Sequence, residues 1–133
     1  MSGSTKTTGT RNNPALVYVV DDNVALTRMA EMILTAEGFQ CHVFCDPEQV
    51  VAAIQRGSPL PDLLLTDYDM GTMNGLELIA RCRLEIPALK AILVSGTVQA
   101  ESLLNQPVKV DQFLSKPYKP DELAAAVKAL LEA

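Results

Sequence analysis

The sequence contains no apolar run long enough to cross a bilayer, which argues against a membrane-spanning protein. A spanning helix needs roughly 20 consecutive apolar residues. The polar first fourteen residues also lack the apolar stretch of a secretory signal. We therefore expect a soluble, cytoplasmic protein with no membrane partner.

Cysteine and basic side chains are both scarce. The 3 cysteines are an odd number, and a chain of 133 residues with 48% hydrophobic residues can build a core without disulfides, as suits a reducing compartment. The 11 basic residues against 16 acidic ones give a net charge of -5, which repels the phosphate backbone of nucleic acids. We expect one domain that does not bind nucleic acid directly.

After a polar start, short apolar runs alternate with amphipathic segments. Residues 1–14 offer almost nothing to bury, so we predict a disordered tail followed by one domain over residues 15–133. The strands are predicted at 15–20, 40–45, 63–66, 91–94 and 110–115, and the helices at 23–37, at 47–56, from 76, around 99–105 and from 120. Such alternation is typical of a parallel sheet covered by helices on both faces.

Four of the five predicted strands end in polar or charged residues, namely Asp21-Asp22, Asp67, Ser95 and Lys116. In open parallel α/β sheets, ligands bind at the carboxyl ends of the strands. Carboxylates gathered there repel one another, so the cluster needs Lys116 and a hard divalent cation such as Mg²⁺. A carboxylate can accept a phosphoryl group as a nucleophile, and phosphoryl transfer asks the protein mainly for positioning and charge compensation.

These residues lie in motifs that resemble the response-regulator receiver domains of two-component signalling. The resemblance covers about residues 15–133 and rests on Asp21-Asp22, on Asp67 within LLLTDYDMGTMNG, on Ser95 after AILV, and on Lys116-Pro117 within DQFLSKP. It implies an α/β, flavodoxin-like, doubly wound sheet of five parallel strands, in the order 2-1-3-4-5, with five helices. The sequence ends soon after the fifth helix, so we expect the single-domain type, although a segment of a longer protein would read the same.

The resemblance also implies how the phosphoryl group arrives. Asp67 would be the phosphoacceptor, supplied by the phosphohistidine of a sensor histidine kinase or of a histidine phosphotransfer protein. Mg²⁺ would be bound by the side chains of Asp22 and Asp67 and by the backbone carbonyl of Asp69. Asp21 would assist directly or through water.

The remaining implied roles concern the response to phosphorylation. Ser95 and Lys116 would hold the phosphoryl oxygens, and Phe113 would be the switch aromatic. The Lys116-Pro117 peptide bond is expected to be cis. We expect the switch to reshape the surface of the fourth helix, fifth strand and fifth helix, which would then contact a downstream protein partner or a second copy of the chain.

Two other function classes remain open. A phosphohydrolase of the haloacid-dehalogenase type would use Asp67 as nucleophile and Asp69 as acid, but its motif has Thr or Val where Gly71 stands, and it gives Asp21-Asp22 no role. A docking module independent of phosphorylation has no need to hold mutually repelling carboxylates. We therefore favour a signalling domain that gains and loses its own phosphoryl group over a turnover enzyme.

Overall fold

The structure, a computed structural model, describes residues 14–57, 59–103 and 105–132, so the predicted tail lies outside the described residues except for Pro14. The strands are β1 Leu16–Val20, β2 Gln40–Phe44, β3 Leu63–Asp67, β4 Lys90–Ser95 and β5 Gln112–Ser115. The α-helices are α1 Val24–Ala36, α2 Pro47–Gln55, α3 Gly75–Glu85 and α4 Pro120–Leu131, and a short 3₁₀ helix spans Ala100–Leu103. None of the helices in these ranges is both long and apolar enough to cross a membrane.

The five strands form one parallel sheet in the order β2-β1-β3-β4-β5. This order and the flavodoxin-like class that the resemblance implies are confirmed. Helices α1 and α4 pack together on one face of the sheet, and α2 and α3 pack together on the other. The carboxyl ends of all five strands consequently lie along one edge.

The three central strands are almost completely buried, which explains their uninterrupted apolar sequences. Successive side chains point to opposite faces, so each strand contributes to two separate cores. Val17, Leu65 and Ile92 face α1 and α4, whereas Tyr18, Leu64 and Leu93 face α2 and α3. Strand β2 is only partly buried because it is an edge strand with a single neighbour.

The short helix predicted around residues 99–105 corresponds to the 3₁₀ helix Ala100–Leu103, so the described residues contain four α-helices and this 3₁₀ helix where five helices were predicted. The segment is short and polar, with Leu103 half-buried against the core, and Pro107 follows soon after. The first turn of an α-helix costs conformational entropy because it fixes several residues for one hydrogen bond. This segment gains too few contacts with the core to offset that cost, and a short 3₁₀ turn forms instead. The predicted fifth helix is therefore α4 of the structure.

Two asparagine caps fix the start of the helices that follow the acidic residues. The Asn23 side chain accepts hydrogen bonds from the backbone N–H groups of Ala25 and Leu26 at the start of α1. Asn74 and Glu77 form a reciprocal capping box at the start of α3. Each helix therefore begins at a defined residue close to the sheet edge.

Candidate functional site

Residues from three strand ends meet at the carboxyl edge of the sheet. The Lys116 Nζ atom lies 2.9 Å from Asp67 Oδ1 and 3.0 Å from Asp21 Oδ2. Carboxylate oxygens of Asp21, Asp22 and Asp67 lie within 4.8 Å of one another. The structure thus brings together four residues that the sequence analysis selected and that are as much as 95 positions apart.

Backbone hydrogen bonds hold three of these residues in place, namely Asp21, Asp67 and Lys116. Asp67 is the last residue of β3, where it pairs with Val94 of β4. The Asp21 N–H donates to the Phe44 carbonyl at 3.2 Å, which extends the β1–β2 pairing by one residue. The Lys116 N–H donates to the Ser95 carbonyl at 2.9 Å, so the backbone of Lys116 lies beside the end of β4.

Gly75 packs directly against the backbone of Asp67. A Cβ atom at Gly75 would lie 2.5 Å from the Asp67 carbonyl oxygen and 2.6 Å from Leu93 Cδ1, closer than such atoms approach one another. The Gly75 N–H also donates to the Tyr68 carbonyl at 2.8 Å. The sequence analysis missed this position, although an Asn-Gly pair at the start of the helix after the acidic loop was a usable signal.

Burial and charge act in opposite directions on the two central groups. Burial raises the pKa of Asp67, and the hydrogen bond from Lys116 offsets only part of that effect, while the neighbouring Asp21 charge adds to it. Burial alone would lower the pKa of Lys116, but its hydrogen bonds to Asp67 and Asp21 and the charges of both raise the pKa overall. The site is therefore short of positive charge, since one ammonium group serves several carboxylates.

The donor set fits a hard divalent cation. Asp21, Asp22 and Asp67 offer carboxylate oxygens only, which is the chemistry that Mg²⁺ prefers. Octahedral oxygens at about 2.1 Å from Mg²⁺ lie at most roughly 4.2 Å apart, close to the spread of this cluster. Asp21 Oδ2 already contacts Lys116, and Asp21 Oδ1 accepts a hydrogen bond from the Asn23 N–H at 2.9 Å. Asp21 therefore has fewer free lone pairs for binding a metal ion than Asp22.

The carboxylate of Asp69 is not part of this cluster. It is exposed, and its Oδ2 atom accepts a hydrogen bond of 2.9 Å from Thr97 Oγ1. Among the described residues, the group able to share one ion consists of Asp21, Asp22 and Asp67. Only the backbone carbonyl of Asp69 was expected to bind metal, so this placement is compatible with that prediction.

Ser95, the buried last residue of β4, is fully hydrogen bonded. Its Oγ atom accepts from the backbone N–H groups of Thr97 at 3.0 Å and Val98 at 2.9 Å. It also lies 3.2 Å from Thr97 Oγ1. The sequence analysis missed Thr97, whose signal was a second hydroxyl residue two positions after Ser95.

The other two sequence predictions concern β5 and its end. Phe113 is half-buried, lies opposite Leu93 in the β4–β5 pairing and packs against the core under α2 and α3. The Lys116-Pro117 peptide bond is cis, as the resemblance implies. The role of Phe113 as a switch stays a prediction.

Comparison with known proteins agrees with this fold. The family model described as the response regulator receiver domain matches residues 17–128. A receiver domain structure from Methanospirillum hungatei JF-1, described as CheY-like, superposes with a TM-score of 0.82 at 26% identity and covers 90% of this chain and 95% of that one. The chain belongs to the response regulator receiver domain family of two-component signalling.

Two further proteins are similar to this chain, one a longer regulator and the other a receiver domain in an activated state. The DNA-binding response regulator MtrA of Mycobacterium tuberculosis H37Rv is 32% identical over 115 residues, which cover 86% of this chain and 50% of MtrA. The beryllofluoride-activated DrrB receiver domain shares the fold, with a TM-score of 0.77 at 21% identity over 90% of this chain and 99% of that one. The present chain spans about half the length of MtrA, which is named for DNA binding.

Proposed function

We propose that this receiver domain accepts a phosphoryl group on Asp67 from the phosphohistidine of a sensor histidine kinase or a histidine phosphotransfer protein in the cytoplasm. The observation that carries the proposal is the contact of 2.9 Å between Asp67 and Lys116 within a cluster of three carboxylates at the sheet edge. An acid cluster with two buried carboxylates, Asp21 and Asp67, and a single lysine is costly for the fold alone. It is well suited to receive a metal ion and a phosphoryl group together.

The proposed transfer needs few protein groups. A carboxylate oxygen of Asp67 attacks phosphorus, the new O–P bond forms, the P–N bond of phosphohistidine breaks, and the imidazole nitrogen takes the bonding electron pair. Lys116 and the Ser95 hydroxyl donate to the phosphoryl oxygens. Mg²⁺, when bound, supplies charge neutralisation.

The expected metal ligands are the side chains of Asp22 and Asp67 and the Asp69 carbonyl, and Asp21 assists. Support comes from the mutual proximity of the three carboxylates and from the partial commitment of Asp21 to Lys116. Loss of the Asp22 carboxylate is expected to weaken Mg²⁺ binding while leaving the Asp67–Lys116 pair intact.

The proposed output is a change of surface. Phosphorylation adds close to two negative charges and strong acceptor oxygens, which would draw the Ser95 hydroxyl toward Asp67. Phe113 would then move inward and reshape the surface made by the 3₁₀ helix, β5 and α4. A protein partner or a second copy of the chain, rather than nucleic acid, would bind that surface.

The chemical step is tested by incubating the protein with acetyl phosphate and Mg²⁺ and measuring its intact mass. We expect the mass of one phosphoryl group on the wild type and none on Asp67→Asn. Equal labelling of both would contradict the assignment. Steady turnover of a small phosphoester that is lost in Asp69→Asn would instead indicate the phosphohydrolase.

The switch is tested separately by following the ring of Phe113 with a fluorinated phenylalanine. We expect its solvent exposure to fall when beryllofluoride and Mg²⁺ are added. Equal exposure in both states would refute the aromatic switch while leaving the chemistry of Asp67 untouched.

A further inference from the structure

We propose that Thr97 is a positioning residue that holds the Ser95 hydroxyl away from the phosphoacceptor in the resting state. The inference rests on the proposed function, because it concerns how the same site is regulated. It starts from a chain of three side chains, Ser95, Thr97 and Asp69, joined by contacts of 3.2 Å and 2.9 Å. We call this chain the hydroxyl relay.

The number of hydroxyl protons determines which side chain donates and which accepts in each hydrogen bond of the relay. Each hydroxyl has one proton to donate, whereas an ionised carboxylate can only accept. Thr97 gives its proton to Asp69 Oδ2. The proton in the contact of 3.2 Å between the two hydroxyls must therefore come from Ser95.

The same count shows that Ser95 has no hydrogen-bonding capacity left. Its proton is given to Thr97, and its oxygen accepts from the N–H groups of Thr97 and Val98. A hydroxyl offers one proton and two lone pairs, so all three are in use. Ser95 can donate to a phosphoryl oxygen on Asp67 only after it gives up its bond to Thr97.

The relay also joins two separate loops. Asp69 lies in the loop after β3, and Thr97 lies in the loop after β4. Both side chains are exposed, so their hydrogen bond is a weak restraint that phosphorylation can overcome. Thr97 thereby sets how readily the site changes from its resting arrangement to the phosphorylated one.

The test compares the apparent affinity for beryllofluoride at saturating Mg²⁺, followed by NMR titration. Thr97→Val removes the hydroxyl but keeps a branched side chain of similar size. We expect it to bind beryllofluoride about two- to tenfold more tightly than the wild type, the range that loss of one exposed hydrogen bond allows. An unchanged or weaker affinity would overturn the proposal.

Two further variants separate this effect from a general change of the loop. Thr97→Ser keeps the hydroxyl and should restore the wild-type affinity. Ser102→Ala removes a hydroxyl that donates to the Gln99 carbonyl at 2.6 Å in the same connection, and it should leave the affinity unchanged. A gain in affinity in either variant equal to that of Thr97→Val would show that the loop as a whole, and not the relay, is responsible.

A double-mutant cycle with Asp69→Ala tests the last member of the relay. If Thr97 acts through Asp69, then Thr97→Val should have little further effect once Asp69 is alanine. Full additivity would overturn the relay. Failure of the wild type itself to bind beryllofluoride would instead overturn the proposed phosphoacceptor function, so the two failures are distinguishable.

Discussion

At the scale of single residues, the close approach of Gly75 to Asp67 leaves no room for a larger side chain at position 75. Alanine ordinarily stabilises a helix position relative to glycine by roughly 0.5 to 1 kcal/mol. Here its Cβ would press on the Asp67 carbonyl, a backbone atom that cannot swing aside, and on Leu93. The steric clash therefore outweighs the helix propensity of alanine, and the substitution should destabilise the protein.

We expect Gly75→Ala to lower the free energy of unfolding by about 1 to 3 kcal/mol, the usual cost of overpacking, as measured by urea denaturation. It should also slow labelling by acetyl phosphate, because Asp67 must shift. Gly96→Ala is the matched control, since its Cβ would meet the nearest atom of Lys116 at an ordinary 3.6 Å. Equal stability changes in the two variants would contradict the steric explanation.

The residues with direct chemistry were predictable from sequence for one physical reason. Asp21, Asp67, Ser95 and Lys116 each stand at the end of a strand or directly after it, and the ends of parallel strands must share an edge. Thr97 could not be identified in this way, because its role depends on how two irregular loops approach each other. Periodic patterns carry no information about that geometry.

At the scale of elements, Arg83 fastens α3 to the beginning of β5. Its Nε atom donates to the Leu89 carbonyl at 3.0 Å, Nη1 donates to the Lys109 carbonyl, and Nη2 donates to Asp111 Oδ2 at 3.1 Å. The same Asp111 oxygen accepts the Ala91 N–H at 2.8 Å. One guanidinium thus holds the segment that leads into the strand carrying Phe113.

We expect Arg83→Met to cost about 2 kcal/mol in thermal or urea unfolding, because hydrogen bonds from a charged donor are lost and their acceptors are left behind. Arg81→Met is the control. Arg81 is more exposed and lies 3.6 Å from Glu48, a surface pair that contributes at most about 1 kcal/mol. If Arg81→Met lowered the free energy of unfolding as much as Arg83→Met, the three hydrogen bonds of Arg83 would not explain the loss of stability.

The elements themselves were predictable to within one or two residues where periodicity was strong, as in α1 and β3. The start of β5 was placed two residues early, at Val110 instead of Gln112. Val110 is apolar because it packs against the core, and not because it belongs to the strand. The side chain of Asp111 accepts a hydrogen bond from the Ala91 N–H, and the paired strand begins only after Asp111. A short helix was also predicted around residues 99–105, but the weak pattern there did not specify that it would be the 3₁₀ helix Ala100–Leu103.

At the scale of the whole molecule, the burial of Asp67 as a charged group works against folding. Because the pKa of Asp67 is raised above its usual 3.8, the folded state binds more protons than the unfolded state just above that pH. The contribution of Asp67 to the free energy of unfolding then falls as pH rises through this interval. Ionised Asp67 is accordingly unfavourable for the fold at neutral pH.

We expect Asp67→Asn, measured in EDTA at pH 7, to unfold with a free energy on the order of 1 kcal/mol above that of the wild type. The difference should shrink as pH falls, because the wild-type carboxylate gains its proton, and also on adding Mg²⁺, which binds the wild type more tightly. Asp121→Asn makes the same charge change in the first turn of α4 and should not stabilise, since a carboxylate there favours the helix. A wild type as stable as Asp67→Asn under these conditions would contradict the repulsion.

The bond between Lys116 and Asp21 joins residues near opposite ends of the described chain. A polypeptide still emerging from the ribosome contains every acid of the cluster long before its counter-charge has been made. The cluster therefore gains its positive charge only after the fifth strand has been made and has paired at the border of the sheet. Until then, Asp21 and Asp67 lack the ammonium group that pairs with both of them in the folded domain.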